Sequence, residues 1–306
     1  MKVKKELLEK RAQIIQFIRQ FFYENSFIET DTPTFVKSPG MEPHIRPYRV
    51  EQTQAFLPTS PEFAMKKVLS YGFDRIFQIC KAYRNEPLST THHPEFTILE
   101  WYRTNSGYEE IMDDVENLFS FLSTKLTGSS KFRSPWPRFT IEECFSKFTK
   151  TNLVDLIQQN RSDFDDEFFR IFLNEIEPEL AKLNHPVIVH LYPESQAALS
   201  NLVTDARGLK WAKRFEVYAG GFELANAFDE LTNSQEQRKR FIKDMGLREN
   251  LYGAGFPPNP IDEEFLSSLD HLPPCGGIAL GVDRLIMYLL GIESIEDVLW
   301  QNSFLK

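Results

Sequence analysis

Two segments of alternating polarity, 75–86 and 94–103, are separated only by the short stretch PLSTTHH (87–93). That spacing constrains the fold more than any other feature. Parallel neighbours need a crossover of about a dozen residues or more, usually helical, whereas antiparallel neighbours need only a turn. The two segments therefore read as a β-hairpin. A second pair, within 214–228, flanks Gly220 and Gly221. Strand–helix–strand alternation is absent, so the expected class is α+β with an antiparallel sheet.

Other segments fit around these hairpins. In 4–25, Leu7, Leu8, Ile14, Ile15, Ile18, Phe21 and Phe22 recur at helical spacing. An extended stretch follows through Thr32-Pro33, because a residue before proline avoids the helical region. Residues 57–73 read as a loop entering a helix, with Thr59 or Ser60 as cap, Pro61 at its first position and Glu62 in its first turn. Residues 108–126 and 141–183 read as helical, joined by a Gly/Ser/Pro-rich linker at 127–137. Strand signals return at 186–192, a charged helix at 234–245, a Gly/Pro loop at 253–260, and a strand running into a helix at 276–290.

The chain has 306 residues, enough for one large catalytic unit, and its 42% hydrophobic and 26% charged residues describe a globular protein. No apolar run approaches the roughly 18–20 residues that span a bilayer. The charged start MKVKKELLEKR has no signal-peptide core, so a cytoplasmic location is expected. Three scattered cysteines suggest a reducing compartment, with neither a disulfide framework nor a zinc site. A net charge of −9 argues against a broad grip on nucleic acid. The 27 phenylalanines imply a Phe-rich core.

The chemistry gathers in three places. In the first hairpin, Arg84 and Glu86 share one strand face, and Phe96, Ile98, Glu100 and Tyr102 share one face of the second strand. Such a face suits a charged nucleotide beside a cationic substrate; a solvated, salt-bridged face accounts for the same spacing. In RFEVYAGGFELANAFDE, a loop at Ala219-Gly220 would set Glu216 opposite Glu223. Opposed like charges are destabilising unless a divalent cation lies between them, and Mg²⁺ fits because it shares its ligands with phosphates. A helix carrying Glu216, Glu223 and Glu230 at heptad spacing is the other reading, disfavoured by the glycine pair. Glu230 has the wrong parity to join Glu223 unless the strand ends or bulges after Phe228. In GGIALGVDRLIMYLLG, Gly281 links strand to helix and permits close approach of a ligand. Arg284 stands at the helix start against the dipole, either committed to an anion or simply exposed. His92 and His93 can touch phosphates or be solvated loop residues. There is no Walker loop and no GxGxxG element.

Taken together, FQICKAYRNE with HHPEFTILEWY, GGIALGVDRL, and the segment ending TPTF resemble motifs 2, 3 and 1 of class II aminoacyl-tRNA synthetases of the lysyl branch. The resemblance covers about residues 4–292. It is closest to the bacterial elongation factor P lysine ligase family, with Ala279 where lysyl-tRNA synthetases usually have glycine. The chain starts at the helix before motif 1, so an N-terminal anticodon-binding OB-fold is not expected.

The resemblance implies a single catalytic domain with a six-stranded antiparallel sheet flanked by helices and a helical insertion at about 105–185. It implies ATP and Mg²⁺ as cofactors. Arg84 and Arg284 would act on the phosphates, with Asn85, Glu86, His92, His93, Leu224 and Gly281 beside the nucleotide. Phe96 and Arg284 would sandwich adenine, and Glu216 and Glu223 would bind Mg²⁺. Glu62, with Ser60 and Pro61, would take the substrate's α-amino end. Glu100, Tyr102, Asn226, Glu230 and Ala279 would surround its distal end. HNPEF is frequent in the family where this chain has His92-His93-Pro94, which leaves the role of His93 open.

The implied function is activation of lysine or (R)-β-lysine as an adenylate and its transfer to a lysine of elongation factor P. A homodimer through the motif 1 region is expected, and tRNA is not an expected partner. The alternatives are a tRNA-charging enzyme with an anticodon domain supplied in trans, and a non-catalytic regulatory subunit. The insertion and the loop at 246–260 are candidate acceptor surfaces.

Overall fold

The computed structural model describes residues 2–129, 131–132, 134–159, 161–253 and 258–300. In chain order the elements are α1 (Lys2–Glu24), β1 (Ile28–Glu29), α2 (Glu62–Leu69), β2 (Arg75–Tyr83), β3 (Glu95–Thr104), α3 (Tyr108–Thr127), β4 (Arg138–Thr140), α4 (Ile141–Phe148) and α5 (Leu153–Gln158). Then come α6 (Phe164–Ile171), α7 (Glu177–Ala181), β5 (Val187–Pro193), β6 (Leu202–Thr204), β7 (Lys210–Ala219), β8 (Phe222–Asp229) and α8 (Ser234–Tyr252). The chain closes with α9 (Glu263–Leu269), β9 (Cys275–Gly281), α10 (Val282–Leu290) and α11 (Ile295–Val298). A π-helical turn, Phe172–Ile176, joins α6 to α7.

Two compact units result, one from residues up to Asn105 and from Leu231 onward, the other Ser106–Glu230. In the first, β2 and β3 form the expected antiparallel hairpin, in unbroken register from Arg75 opposite Arg103 to Tyr83 opposite Glu95. β9 pairs antiparallel on the other side of β3. β1 adds to β2 in parallel, with Ile28 opposite Ile76. Helix α1 covers this sheet because its apolar stripe packs down. Ile14, Ile18 and Phe22 are fully buried, and Phe22 stacks on Phe77 of β2 with ring centroids 4.6 Å apart. It also meets Trp101 of β3 at 5.2 Å.

In the Ser106–Glu230 unit, β7 pairs antiparallel with β5, β6 and β8, and β4 lies parallel to β5. The helices of 141–183 bury Phe145, Phe168 and Phe172 against Val187, Val189 and Trp211. A capping box between Thr140 and Glu143 opens α4. The Phe-rich core is thus present in both units.

Several expectations are corrected. The described residues form nine strands in place of six, and the β1–β2 and β4–β5 pairs are parallel. The span 141–183 is mostly helical, as expected, in the form of α4, α5, α6, the π-helical turn and α7. The charged helix continues to Tyr252, so much of the expected 246–260 loop is helical, and its residues 254–257 lie outside the described ones. No helix among the described residues is long and apolar enough to cross a membrane.

Removing the ring that joins α1 to both β2 and β3 leaves a cavity under the sheet. Phe22→Ala is expected to lower unfolding stability by about 3–5 kcal/mol in denaturant titrations; a loss below about 1 kcal/mol would contradict this packing.

Candidate active site

Strand β3 carries the site of the first unit. Glu100 stands opposite Gln78 of β2 and opposite Ala279 of β9. Its neighbours on that face, Ile98 and Tyr102, stand opposite Gly281 and Gly277. The β9 side of the face therefore presents only Gly, Ala and Gly, and leaves room beside Glu100.

Glu100 is fully buried, yet its ordinary partners are hydroxyls. Ser60 Oγ donates to it at 2.5 Å and Tyr102 Oη at 3.0 Å. Burial, reinforced by the nearby Glu62 carboxylate, pushes its pKa up to about 8 against those two bonds and the Lys66 ammonium. Glu62 heads α2, where its carboxylate accepts from buried Lys66 Nζ at 2.6 Å. Pro61 is the N-cap of that helix, not its first residue, and Ser60 Oγ accepts the Glu62 N–H at 3.0 Å. Thr59 donates instead to the Pro39 carbonyl at 2.5 Å. Glu42 lines the same recess as Ser60 and Glu62, and burial followed by Glu62 raises its pKa too. A carboxyl held short of charge as Glu100 is suits an ammonium group, which would restore its ionisation.

The opposite end of the face is cationic. The Arg84 guanidinium lies over the Phe96 ring, 5.1 Å from its centroid. Strand β2 ends at Tyr83, so Arg84, Asn85 and Glu86 lie in the connection, and Arg84 and Glu86 are not on the strand face expected for them. Their backbone is nevertheless fixed. Arg84 N–H donates to Pro94, Asn85 N–H to Arg46, and Glu86 N–H to Arg84. Arg284 stands in the first turn of α10 as expected, directly after β9 ends at Gly281. It donates to the Thr91 carbonyl at 3.2 Å and to His92 Nε2 at 2.7 Å. That bond requires a neutral His92 with its proton on Nδ1, and burial followed by the Arg284 charge lowers its pKa. His93 is turned onto its own loop, with Nδ1 2.6 Å from the Glu95 carbonyl.

The carboxylate-rich hairpin belongs to the other unit. Its turn is Gly220-Gly221, both at positive φ, and not Ala219-Gly220. Glu216 consequently faces Asn226, while Glu223 faces Tyr218. Between them the register shifts. Val217 pairs with Ala225 and Tyr218 with Glu223, so the buried Leu224 is an extra residue. This bulge returns Glu223 to the face of Asn226 and gives Glu230 matching parity, upstream of the break expected after Phe228. The strand then ends at Asp229, and buried Glu230 bridges to Ser200.

Arg214, not singled out from sequence, dominates this face. It pairs with Glu216, donates to Asn226 Oδ1 at 3.0 Å, and lies 4.8 Å from the Tyr192 ring centroid. Tyr192 donates to Glu216 at 2.6 Å and Tyr218 donates to the same carboxylate. Glu223 is exposed and close enough to act on the Arg214 charge. No three His, Cys, Asp or Glu side chains among the described residues gather as a closed metal site. Two carboxylates do suit a hard cation that takes its other ligands from phosphate and water. Lys66 and Arg214 were both legible in principle, as i+4 from Glu62 and i−2 from Glu216.

Because the Glu100 pKa is raised from 4.5 to about 8, the folded state holds a proton there that the unfolded chain has released. This contribution to stability is therefore fully present below about pH 4.5 and is lost as pH rises through 8. Denaturation at pH 5 and 8 should show the wild type losing roughly 2–4 kcal/mol relative to Glu100→Gln across that window. Parallel profiles for the two proteins would contradict the protonated state.

Comparison with known proteins identifies the family. The family model for tRNA synthetases class II (D, K and N) matches residues 1–301. The chain is 36% identical to an elongation factor P–(R)-β-lysine ligase of Edwardsiella ictaluri, over 95% of this chain and 93% of that protein. Proteins of the same name from Hamiltonella defensa and Salmonella paratyphi B are 35% and 34% identical over the same shares. The chain belongs to the class II tRNA synthetase family, within the group of these relatives, and is a ligase.

Proposed function

We propose that the protein activates a lysine-type amino acid, (R)-β-lysine or lysine, with ATP and transfers it to a lysine ε-amine of elongation factor P. The observation that carries this reading is the polarity of one β3 face. Arg84 lies over Phe96 at one end, and the buried, proton-holding Glu100 stands opposite Ala279 at the other. An anion and a flat ring suit the first end, and an ammonium the second. The names of the relatives supply the acceptor.

In the first step the substrate carboxylate attacks the α-phosphorus of ATP in line. The bond to the β-phosphate oxygen breaks, and pyrophosphate leaves. Arg84 and Arg284 offset charge on the phosphates, while Phe96 and Arg284 hold adenine between them, with Asn85, Glu86, His92, His93, Leu224 and Gly281 as the other nucleotide contacts. Glu62, with Ser60 and Pro61, takes the near amino group. Glu100 and Tyr102 take the distal ammonium, while Asn226 and Glu230 remain substrate contacts on the family resemblance. Glu216 and Glu223 would hold Mg²⁺, which supplies charge neutralisation on the phosphates. In the second step the acceptor ε-amine attacks the adenylate carbonyl, losing a proton as AMP leaves and an amide forms. Neither step needs a protein nucleophile.

A dimer through the motif 1 region accords with the exposed Tyr23, Ile28 and Phe35 there. A cytoplasmic location accords with the lack of a membrane-crossing helix among the described residues.

Incubation with ATP, Mg²⁺ and labelled lysine or β-lysine should put label on elongation factor P and none on tRNA; label on tRNA alone would overturn the reading. Ala279 adds a methyl group directly opposite Glu100. Ala279→Gly should shift the ratio of kcat/KM values toward α-lysine by about tenfold, and an unchanged ratio would remove Ala279 from the selectivity of the pocket.

A further inference from the structure

Arg11 lies on the buried stripe of α1, at i+4 from Leu7 and i−3 from Ile14, where an apolar residue is expected. It is 2% exposed, as is Asp283 at the start of α10. Arg11 Nη1 donates to Asp283 Oδ1 at 2.5 Å, and Nη2 donates to Thr97 Oγ1 at 2.9 Å. The remaining oxygen of Asp283 accepts the Thr97 backbone N–H at 2.7 Å. Three elements, α1, β3 and α10, therefore meet at one buried ion pair.

Its place in the ladder is specific. The β3–β9 pairing reaches Ile98 opposite Gly281 and stops there, because the chain turns into α10. The Asp283 carboxylate takes the next β3 N–H in place of a strand carbonyl. Thr97 directly follows Phe96, and Arg284 directly follows Asp283. Thr97 points to the opposite sheet face from Phe96, so the pair does not itself meet a ligand on that face. Arg11 Nε makes no hydrogen bond. A buried donor left unpaired, like a buried ion pair itself, is a poor way to gain stability over apolar packing. What the arrangement provides is direction: the Thr97 N–H bond ties the β3 backbone next to Phe96 to the Asp283 side chain next to Arg284, and Arg11 braces both side chains from α1.

We propose that Arg11, Asp283 and Thr97 are positioning residues that hold Phe96 and Arg284 at the separation of an adenine ring, and so set affinity for ATP. This rests on the assignment of Phe96 and Arg284 to adenine in the proposed function. It adds three residues outside the three motifs' ligand contacts.

The test is calorimetric binding of a non-hydrolysable ATP analogue with Mg²⁺, and separately of lysine, to the full chain. The variants are Arg11→Met combined with Asp283→Asn, which leaves no unpaired charge, and the milder Arg11→Lys and Thr97→Val. The double variant should weaken nucleotide binding about tenfold or more, and each mild variant about threefold, with lysine affinity within about twofold of wild type. Nucleotide affinity unchanged in the mild variants, whatever happens to the melting temperature, would overturn the inference and leave a purely structural ion pair. Equal weakening of nucleotide and lysine would do the same. Arg284→Ala and Phe96→Ala separate this from the underlying assignment. If they too leave nucleotide binding unchanged, adenine does not lie between them, and the fault is in that assignment; if they weaken it while the Arg11 variants do not, only the positioning role fails.

Discussion

The pairing of β3 with β9 is the constraint on which the first unit's site depends. It sets Glu100 against Ala279 and Tyr102 against Gly277, and it ends at Gly281, one residue before α10 begins. A slip of one residue would turn Glu100 to the other face and put a different side chain opposite it. The ladder is held from both sides. β2 pairs along almost the whole of β3, and the Phe22 ring of α1 packs on Phe77 and Trp101 beneath.

Electrostatics then divide the face. Glu100 is deprived of water and lies near a second carboxylate, with hydroxyl donors that only partly offset the cost of charge. Arg84 and Arg284 stand toward the loop end, held by Phe96, His92 and backbone carbonyls. In the other unit the same logic is solved differently. Glu216 is neutralised by Arg214 and two tyrosines, and the exposed Glu223 adds its charge to the same face.

Much of this was legible in the sequence because period-two and period-3.6 patterns survive in single segments. The 75–103 hairpin, the strand–helix join at Gly281 and the placing of Arg284 in the first helical turn needed only local signals. The β7–β8 register did not follow, because the turn lies one residue later, at Gly220-Gly221, and one extra residue at Leu224 then changes every pairing beyond it; neither propensity nor spacing marks which residue bulges. Strands β4 and β6 span Arg138–Thr140 and Leu202–Thr204, too short to show alternation. Arg84 to Glu86 continue the alternating pattern past Tyr83, where pairing has already ended. The partner of Arg11 lies 272 residues away, beyond any local pattern, although a charge on an apolar stripe was a visible anomaly.

In the proposed function, Glu100 and its surroundings receive an ammonium while the Arg84–Phe96 end receives the nucleotide. ATP–pyrophosphate exchange measured with lysine isomers beside norleucine, which lacks only the distal ammonium, tests it most directly. Exchange should require the lysine-type substrate and be at least about a hundredfold weaker with norleucine, since the site would be left with buried polar groups unpaired. Comparable exchange with norleucine, or none with any lysine isomer, would contradict it.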